Sequence, residues 1–325
     1  MKPPRSPKSP FFLWTGLFVF SLILSLCVGA GEIAWGEVLT FQPGLSSSLF
    51  WKLRFPRVLA AGAVGAGLAL VGAVLQSSLR NPLADPFLLG VSSASATGAV
   101  AALAIGWSSG RFGLSVGAAL ICLLCLDRLA YRRGVFSNHV LLIGGVAITY
   151  LLSATTGLIV ALADSTKTRG LLFWLMGGFS SLEPVAAGLC IVSLIFTGGY
   201  LLKHARELDI LATGDESAHV LGLRPDGFRR KLFFVCSVVV GVCVATAGGI
   251  GFVGLLVPHL ARIFCGVTHR QLLPLCVVGG ATLTILADFV ARTVVAPREI
   301  PVGLLTALLG APFFLYQLRK GGGWS

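Results

Sequence analysis

Charge is scarce in this chain. Asp, Glu, Lys and Arg make up 12% of its 325 residues, about half of the ~25% found in water-soluble globules. With 55% hydrophobic residues and a mean hydropathy of +0.89, a soluble fold is excluded. Chemical machinery is missing as well. No Gly-x-x-x-x-Gly-Lys-Ser/Thr run occurs, so the chain has no P-loop with which to hydrolyse nucleotide. There is no His-Glu-x-x-His, and the five histidines are too scattered to suggest a metal cluster. The eight cysteines lie within or at the ends of apolar runs, where cysteine acts as a small hydrophobe. Cys122-x-x-Cys125 has redox or metal spacing but lacks a second pair and a nearby histidine.

What the chain has in abundance is apolar sequence of membrane-spanning length. Runs recur at 11–31, 57–79, 90–107, 112–130, 139–163, 185–202, 231–247, 252–267, 272–295 and 302–318. Each approaches the ~20 residues that cross a bilayer as helix, the shorter ones lying near the lower limit of about 17. The expectation is an all-α polytopic membrane protein, a compact bundle of about ten transmembrane helices in one domain over 1–325. The first run exceeds the 7–15 residues of a signal-peptide core, which favours a retained first span. A net charge of +12 could suggest nucleic acid, but its distribution argues against that. With a cytoplasmic N-terminus, both ends and the loops near 80–86, 127–138, 203–231 and 262–271 hold 17 of the 25 Lys and Arg. This positive-inside bias fixes the orientation, with both termini cytoplasmic.

Ionisable residues are nearly absent from the centres of the runs, which argues against a proton- or sodium-coupled carrier. His259 and Asp288 are the nearest candidates for intramembrane chemistry, and each sits near the end of its span. Asp288 is expected to pair with Arg292 at i, i+4. Prolines and glycines punctuate the rest. Asn81-Pro82 resists continued helix, and Asp85-Pro86 reads as the N-cap and first position of the third span. Glu183-Pro184 and Glu299-Ile-Pro301 carry similar signals before the sixth and tenth spans. Pro258 and Pro312 should kink their helices, and Gly248-Gly249-Ile-Gly251 makes a tight turn. Ala61, Gly65, Ala69 and Ala73 recur every fourth residue and form a smooth face for close helix approach. Gly72 to Pro82 and Gly248 to Pro258 have a faint likeness that allows an inverted repeat without asserting one.

Loop 203–231 is polar but not linker-like. Asp215 can cap a short helix through Ser217 to Leu221, and Gly222 can end it. Ala212, Ala218, Val220, Leu221 and Leu223 are apolar beyond the needs of a solvated loop. Either the segment lies on the membrane surface or it docks a cytoplasmic partner.

Several motifs follow one another in a familiar order: Arg54-Phe-Pro-Arg57, Gly72-x-x-x-Gln76, Asn81-Pro-Leu-Ala-Asp-Pro86, Leu89-Gly-Val-Ser92 and Trp174-Leu-Met-Gly-Gly178. They continue with Gly214-Asp-Glu216, Leu221-Gly222, Gly251-Phe-Val-Gly-Leu-Leu-Val-Pro-His-Leu-Ala-Arg262, Ala287-Asp-Phe-Val-Ala-Arg292, Pro301-Val-Gly303 and Gly310-Ala-Pro312. In these the chain resembles the FecCD-type permease subunits of ABC importers for ferric siderophores, haem and cobalamin. The resemblance implies a homodimer or paired permease around one pathway in a bacterial cytoplasmic membrane. It also implies two cytoplasmic ATPase subunits, which bind the ATP and Mg, and an external substrate-binding protein. No cofactor is expected in this chain, and no enzyme activity of its own. By the same resemblance Arg54, Arg57 and Arg292 dock the binding protein, and Gly214, Asp215, Glu216, Leu221 and Gly222 form the coupling element for the ATPase. Ser137 and Asn138 mark an inner gate, and Gly177 and Gly178, within 170–179, an outer one. The competing readings are an ion-coupled secondary transporter of inverted-repeat type and a membrane-embedded enzyme. Ion-gradient dependence without an ATPase would distinguish the first, and turnover by the chain alone the second.

Overall fold

The computed structural model describes residues 8–29, 34–40, 44–132, 135–180, 182 and 184–319. The chain begins with α1 (Lys8–Cys27), then two short helices, α2 (Trp35–Leu39) and α3 (Leu45–Ser48). A π-helical segment, Leu49–Arg54, leads directly into α4 (Phe55–Ser78). Next come α5 (Val91–Ala104) and α6 (Arg111–Ala130), then a minimal antiparallel hairpin of β1 (Tyr131–Arg132) with β2 (Val135–Phe136). The chain continues through α7 (Asn138–Leu162), α8 (Ser165–Leu175) and α9 (Pro184–Lys203). Two short helices, α10 (Ala205–Ala212) and α11 (Asp215–Val220), fill the polar loop. The bundle is completed by α12 (Pro225–Ala247), α13 (Val253–Cys265), α14 (His269–Thr293) and α15 (Val302–Arg319).

Among the described residues, a helix lies on each of the ten apolar runs. Six helical stretches are long and apolar enough to cross a membrane unaided, and shorter apolar helices lie at 11–27, 91–104, 253–265 and 302–316. The chain is thus an all-α polytopic membrane protein. Sequence reasoning did not foresee α8 or the π-helical lead-in. That lead-in makes one unbroken helical stretch from Leu45 to Ser78. At 1.5 Å per residue it is about 50 Å long, well beyond the ~30 Å hydrocarbon core.

Composition explains why α4 is the axis of the bundle. Its Ala-Gly face has almost no side chain, so neighbours approach to backbone distance. A Cβ added at Gly65 would collide with Thr284 Oγ1 and the Gly280 carbonyl, and one at Gly72 with the Gly254 carbonyl. Ala61, Ala69 and Ala73 are fully buried on the same stripe. Pro56 sits at the junction of the π-helical segment and the first turn of α4. The helix ends before Asn81-Pro82, with the Asn81 N–H donating to the Gln76 carbonyl at 3.1 Å and Arg80 at a positive φ of 48°. The first helix is packed into this bundle: the Trp14 ring fills the space over Gly279 of α14 and meets Phe264 edge-on.

Two expected caps differ in detail. Asp85 does not start α5, which begins at Val91 behind a left-handed Gly90. Instead its Oδ1 accepts from the Phe87 N–H at 2.8 Å and closes a turn ahead of the helix, because Pro86 through Gly90 fold as turns. Asp215 is the first residue of α11 rather than its cap, a place taken by Gly214 at φ 122°. Its carboxylate is drawn away to Arg229. The expected stop holds: Gly222 adopts φ 82°, and Leu223 N–H reaches back to the Ala218 carbonyl at 2.9 Å. Pro258 and Pro312 lie inside α13 and α15. Glu183 lies outside the described residues, while Pro184 opens α9 as expected.

Asp85 lies in the connection between two spans, and burial pushes its carboxyl up to about 6 from an ordinary 3.8, against the lowering effect of the Phe87 N–H. A raised folded-state value stabilises the fold below the ordinary value, and that stability is lost as pH rises through about 6. Asp85→Asn keeps the oxygen acceptor and removes the charge. Thermal unfolding in detergent should therefore show the variant more stable than wild type at pH 8, by on the order of 2 kcal/mol. The difference should vanish near pH 4. Equal stability at both pH values would mean that Asp85 is not held in a low-dielectric place.

Candidate functional site

Two groups of charged residues lie at the two ends of α4. At the amino end of α4, Arg54, Arg57 and Arg292 line one cavity of about 300 Å³ with Lys52 and Glu299. The three arginines singled out in the sequence, on two distant segments, are thus brought together. They are not equivalent. Arg57 Nε donates to Asp288 Oδ1 and Oδ2 at 3.0 and 3.1 Å, and Nη2 donates to Oδ1 at 2.8 Å. Its other edge takes Glu299, with Nη1 donating to Oε1 at 2.8 Å and Nη2 to Oε2 at 3.1 Å. The side chain of Asp288 is 0% exposed, that of Arg57 14% and that of Glu299 38%.

The local Asp288–Arg292 pair expected from i, i+4 spacing is only a weak contact at 3.8 Å. A fork-shaped guanidinium on α4 outcompetes it by bidentate geometry. Arg292 instead donates through Nη2 to the carbonyl and the hydroxyl of Ser25 at the end of α1. Arg54 Nη1 donates to the carbonyls of Leu26 and Cys27 at 3.1 and 3.4 Å, and the residue is half-buried.

Beside these arginines, a cavity of about 260 Å³ is lined by Arg57, Gly177, Gly178, Phe179, Glu299 and Pro301 among others. Gly177 turns at φ 78°, Gly178 N–H donates to the Ala247 carbonyl at 2.8 Å, and Gly303 N–H donates to the Gly177 carbonyl at 3.3 Å. A Cβ at Gly177 or Gly303 would strike the Gly249 carbonyl. The Gly177 and Gly248-Gly249 turns and the first turn of α15 are therefore stitched together backbone to backbone, a use that requires residues without side chains.

At the opposite end, Gln76 explains its motif. One turn beyond Gly72, its Nε2 donates to the Gly254 carbonyl at 3.2 Å, and Arg262 Nη1 donates to its Oε1. The motifs Gly72-x-x-x-Gln76 and Gly251 to Arg262 thus meet face to face. Next to them a cavity of about 540 Å³ is bordered by Arg80, Ala212, His259, Arg262, Ile263 and His269. Gly214, Asp215, Glu216, Leu221 and Gly222 occupy the ends of α11, whose Ala218 is buried while Val220 and Leu221 are exposed. Ser137 caps α7, its Oγ accepting from the Val140 N–H at 3.3 Å. Asn138 Nδ2 donates to the Leu79 carbonyl at 3.4 Å, at the end of α4.

Sequence reasoning missed the partners that make these groups a network: Glu299 on Arg57, and Asp209, His269, Ser77 and Arg229 around the short helices. Each pairing spans tens to hundreds of residues. In the sequence, Glu299 reads only as part of a helix-start signal.

A bundle of membrane-crossing helices, with a cationic recess at one end and a short helix pair at the other, has the architecture of a transport permease. The chain belongs to the FecCD transport family, which matches residues 17–320. It is 40% identical over 313 residues to the vitamin B12 import system permease protein BtuC of Shigella sonnei, covering 94% of this chain and 93% of that protein. The same values hold against the protein of that name from Escherichia coli strain K12. Among solved structures, a metal-chelate-type ABC transporter in an inward-facing conformation superposes with a TM-score of 0.86 at 32% identity, over 96% of this chain and 99% of the other. PsaBC from Streptococcus pneumoniae shares the fold, with a TM-score of 0.61 at 17% identity over 83% and 92% of the two chains. The chain is therefore an ABC importer permease of the FecCD/BtuC type.

Proposed function

We propose that this chain, as one transmembrane unit over 1–325, passes a large metal chelate (a ferric siderophore, haem or cobalamin) into the cytoplasm of a bacterium by alternating access. It does so paired with a second permease, with two ATPase subunits inside and a binding protein outside. Both termini face the cytoplasm, so α10 and α11 lie inside and the arginine recess lies outside. The observation that carries this reading is the polarity of α4. Lys52, Arg54, Arg57 and Arg292 line a recess at one end, with Glu299 the one carboxylate among its described lining residues, and a half-exposed helix pair sits at the other. Arginine forks in a recess suit the carboxylates of a docking protein. Such a carboxylate would meet Arg54 first and then compete with Glu299 for Arg57. The exposed Val220 and Leu221 over a buried Ala218 suit a helix laid in a partner's groove. Ser137 and Asn138 at the head of α7 serve as the inner gate, and the Gly177-Gly178 turn as part of the outer one. No cofactor is needed in this chain, because ATP and Mg belong to the partner. The relatives' names make cobalamin the first chelate to try.

The purified chain should hydrolyse no ATP until its ATPase partner is added. Ala218→Pro breaks α11 outside the bilayer and should abolish uptake of cyanocobalamin or ferric siderophore probes in proteoliposomes, with the chain still folded. Unchanged association with the ATPase and unchanged uptake in that variant would remove α11 as the dock. Uptake driven by an ion gradient without the ATPase would establish the secondary-transporter reading instead.

A further inference from the structure

The two short helices reach the bundle through carboxylates, and both routes end at the same place. Asp209 of α10 accepts from the His269 N–H at 2.9 Å and meets His269 Nδ1 at 2.6 Å, while Nε2 of the same ring lies 2.7 Å from Ser77 Oγ. Asp215 of α11 lies 2.7 Å from Arg229 Nη2, and Arg229 Nε donates to the Ser78 carbonyl at 3.3 Å. The guanidinium carbon lies over the Phe136 ring, 4.6 Å from its centre. Two independent chains, 209 to 269 to 77 and 215 to 229 to 78, therefore land on consecutive residues at the end of α4.

The intermediaries are locked and the carboxylates are not. His269 and Arg229 are each 1% exposed, whereas the side chains of Asp209 and Asp215 are about a third exposed, at 35% and 36%. The helix pair is not uniformly packed, either. Between Ala212 and His259 and Ile263 of α13 lies the 540 Å³ cavity. The pair is thus tied to α4 and α14 and separated by open space from that side of α13. His269 is also the first residue of α14. At the other end of the same two helices, Arg57 of α4 grips Asp288 of α14, and between the two ends their backbones touch at Gly65 and Gly280.

We propose that His269 and Arg229 are positioning residues that transmit a displacement of the α10–α11 pair to α4 and α14 as one body. Through them it reaches the Arg57–Asp288–Glu299 group at the far end. Because a close-packed helix pair deforms little, pulling on Ser77 and Ser78 shifts the arginine recess instead of stretching the span. The inference rests on the reading that α10–α11 carries the ATPase.

The test uses the full assembly in proteoliposomes: permease, ATPase and external binding protein. The readout is the stimulation of ATP hydrolysis by the binding protein. Ser77→Ala and His269→Gln should each lower that stimulation by about fivefold or more, with the KM for ATP and the co-purification of the ATPase unchanged. Ser77→Thr, which keeps the hydroxyl, should restore it. The Ser77→Ala/His269→Gln double variant should be no worse than either single change, since both cut one strut. Stimulation equal to wild type in the Ser77→Ala variant would overturn the proposal, as would multiplying effects in the double. Loss of ATPase co-purification on Ser77→Ala would also overturn it, by making the residue part of the dock. If His269→Gln fails to fold, Ser77→Ala, which removes one oxygen, decides alone. An ATPase that binds the Ala218→Pro chain like wild type bears on the docking assignment and not on the struts.

Discussion

Replacing Arg57 with alanine should loosen the Arg57 end of the bundle before it reveals anything about docking. Asp288 has no exposed surface and depends on Arg57 for three hydrogen bonds of 2.8–3.1 Å. Arg292 makes only a longer ion-pair contact with Asp288, at 3.8 Å. Breaking a buried pair from one side costs about 3–5 kcal/mol, because a desolvated charge is left behind. Thermal unfolding in detergent should show a loss of that size for Arg57→Ala and clearly less for Arg57→Ala/Asp288→Ala. A double variant no more stable than the single would show that Asp288 has another counter-ion. Docking is better tested at Arg54, which is half-buried and donates to the Leu26 and Cys27 carbonyls. Arg54→Glu should weaken capture of the binding protein at low salt with the fold intact, and the deficit should shrink as salt screens the contact.

A comparable loss is expected where α4 meets α14. Gly65→Val would drive its side chain into Thr284 and the Gly280 carbonyl, and neither is the movable tip of a long chain. Overpacking of this kind costs typically about 1–3 kcal/mol and can cost more. Here two backbones must part, so little folded permease should be recovered by size-exclusion chromatography. Gly117→Ala is the control. A Cβ there meets nothing within 4 Å, and alanine favours helix over glycine by roughly 1 kcal/mol, so its melting temperature should hold or rise. Recovery of Gly65→Val at wild-type yield would show that the two helices can separate.

These two cases mark what a single sequence can convey. The Ala61-Gly65-Ala69-Ala73 stripe announced a close helix approach because small residues at every fourth position have one geometric meaning. It could not announce Gly280 as the far side, since a partner 215 residues away leaves no local trace. The helices on the ten apolar runs were legible for a similar reason, a span being a property of composition over a window. Local pairing explains only part of the charge network. Asp288 keeps the expected Arg292 as an ion-pair partner at 3.8 Å, but its short hydrogen bonds go to Arg57, 231 residues away, and the Asp215 carboxylate, expected at its own helix terminus, goes to Arg229. A guanidinium delivers two parallel hydrogen bonds, which neighbours along one helix seldom can. The arginine cluster itself was legible through family motifs, while Glu299 and the His269 strut were not, because nothing in their surroundings sets them apart until the chain folds.

The uneven burial of the spans bears on how the bilayer acts on the protein. The most apolar 18-residue window of Leu45–Ser78 is 94% buried within the chain, whereas those of α6, α7 and α9 are only 28%, 17% and 28% buried. Hydrocarbon thickness can press only on helices that lipid touches. Within a single chain, a thinner or thicker membrane therefore loads the α6, α7 and α9 flank and leaves α4 shielded. Acyl-chain length should then tilt the periphery around an axle of nearly constant length.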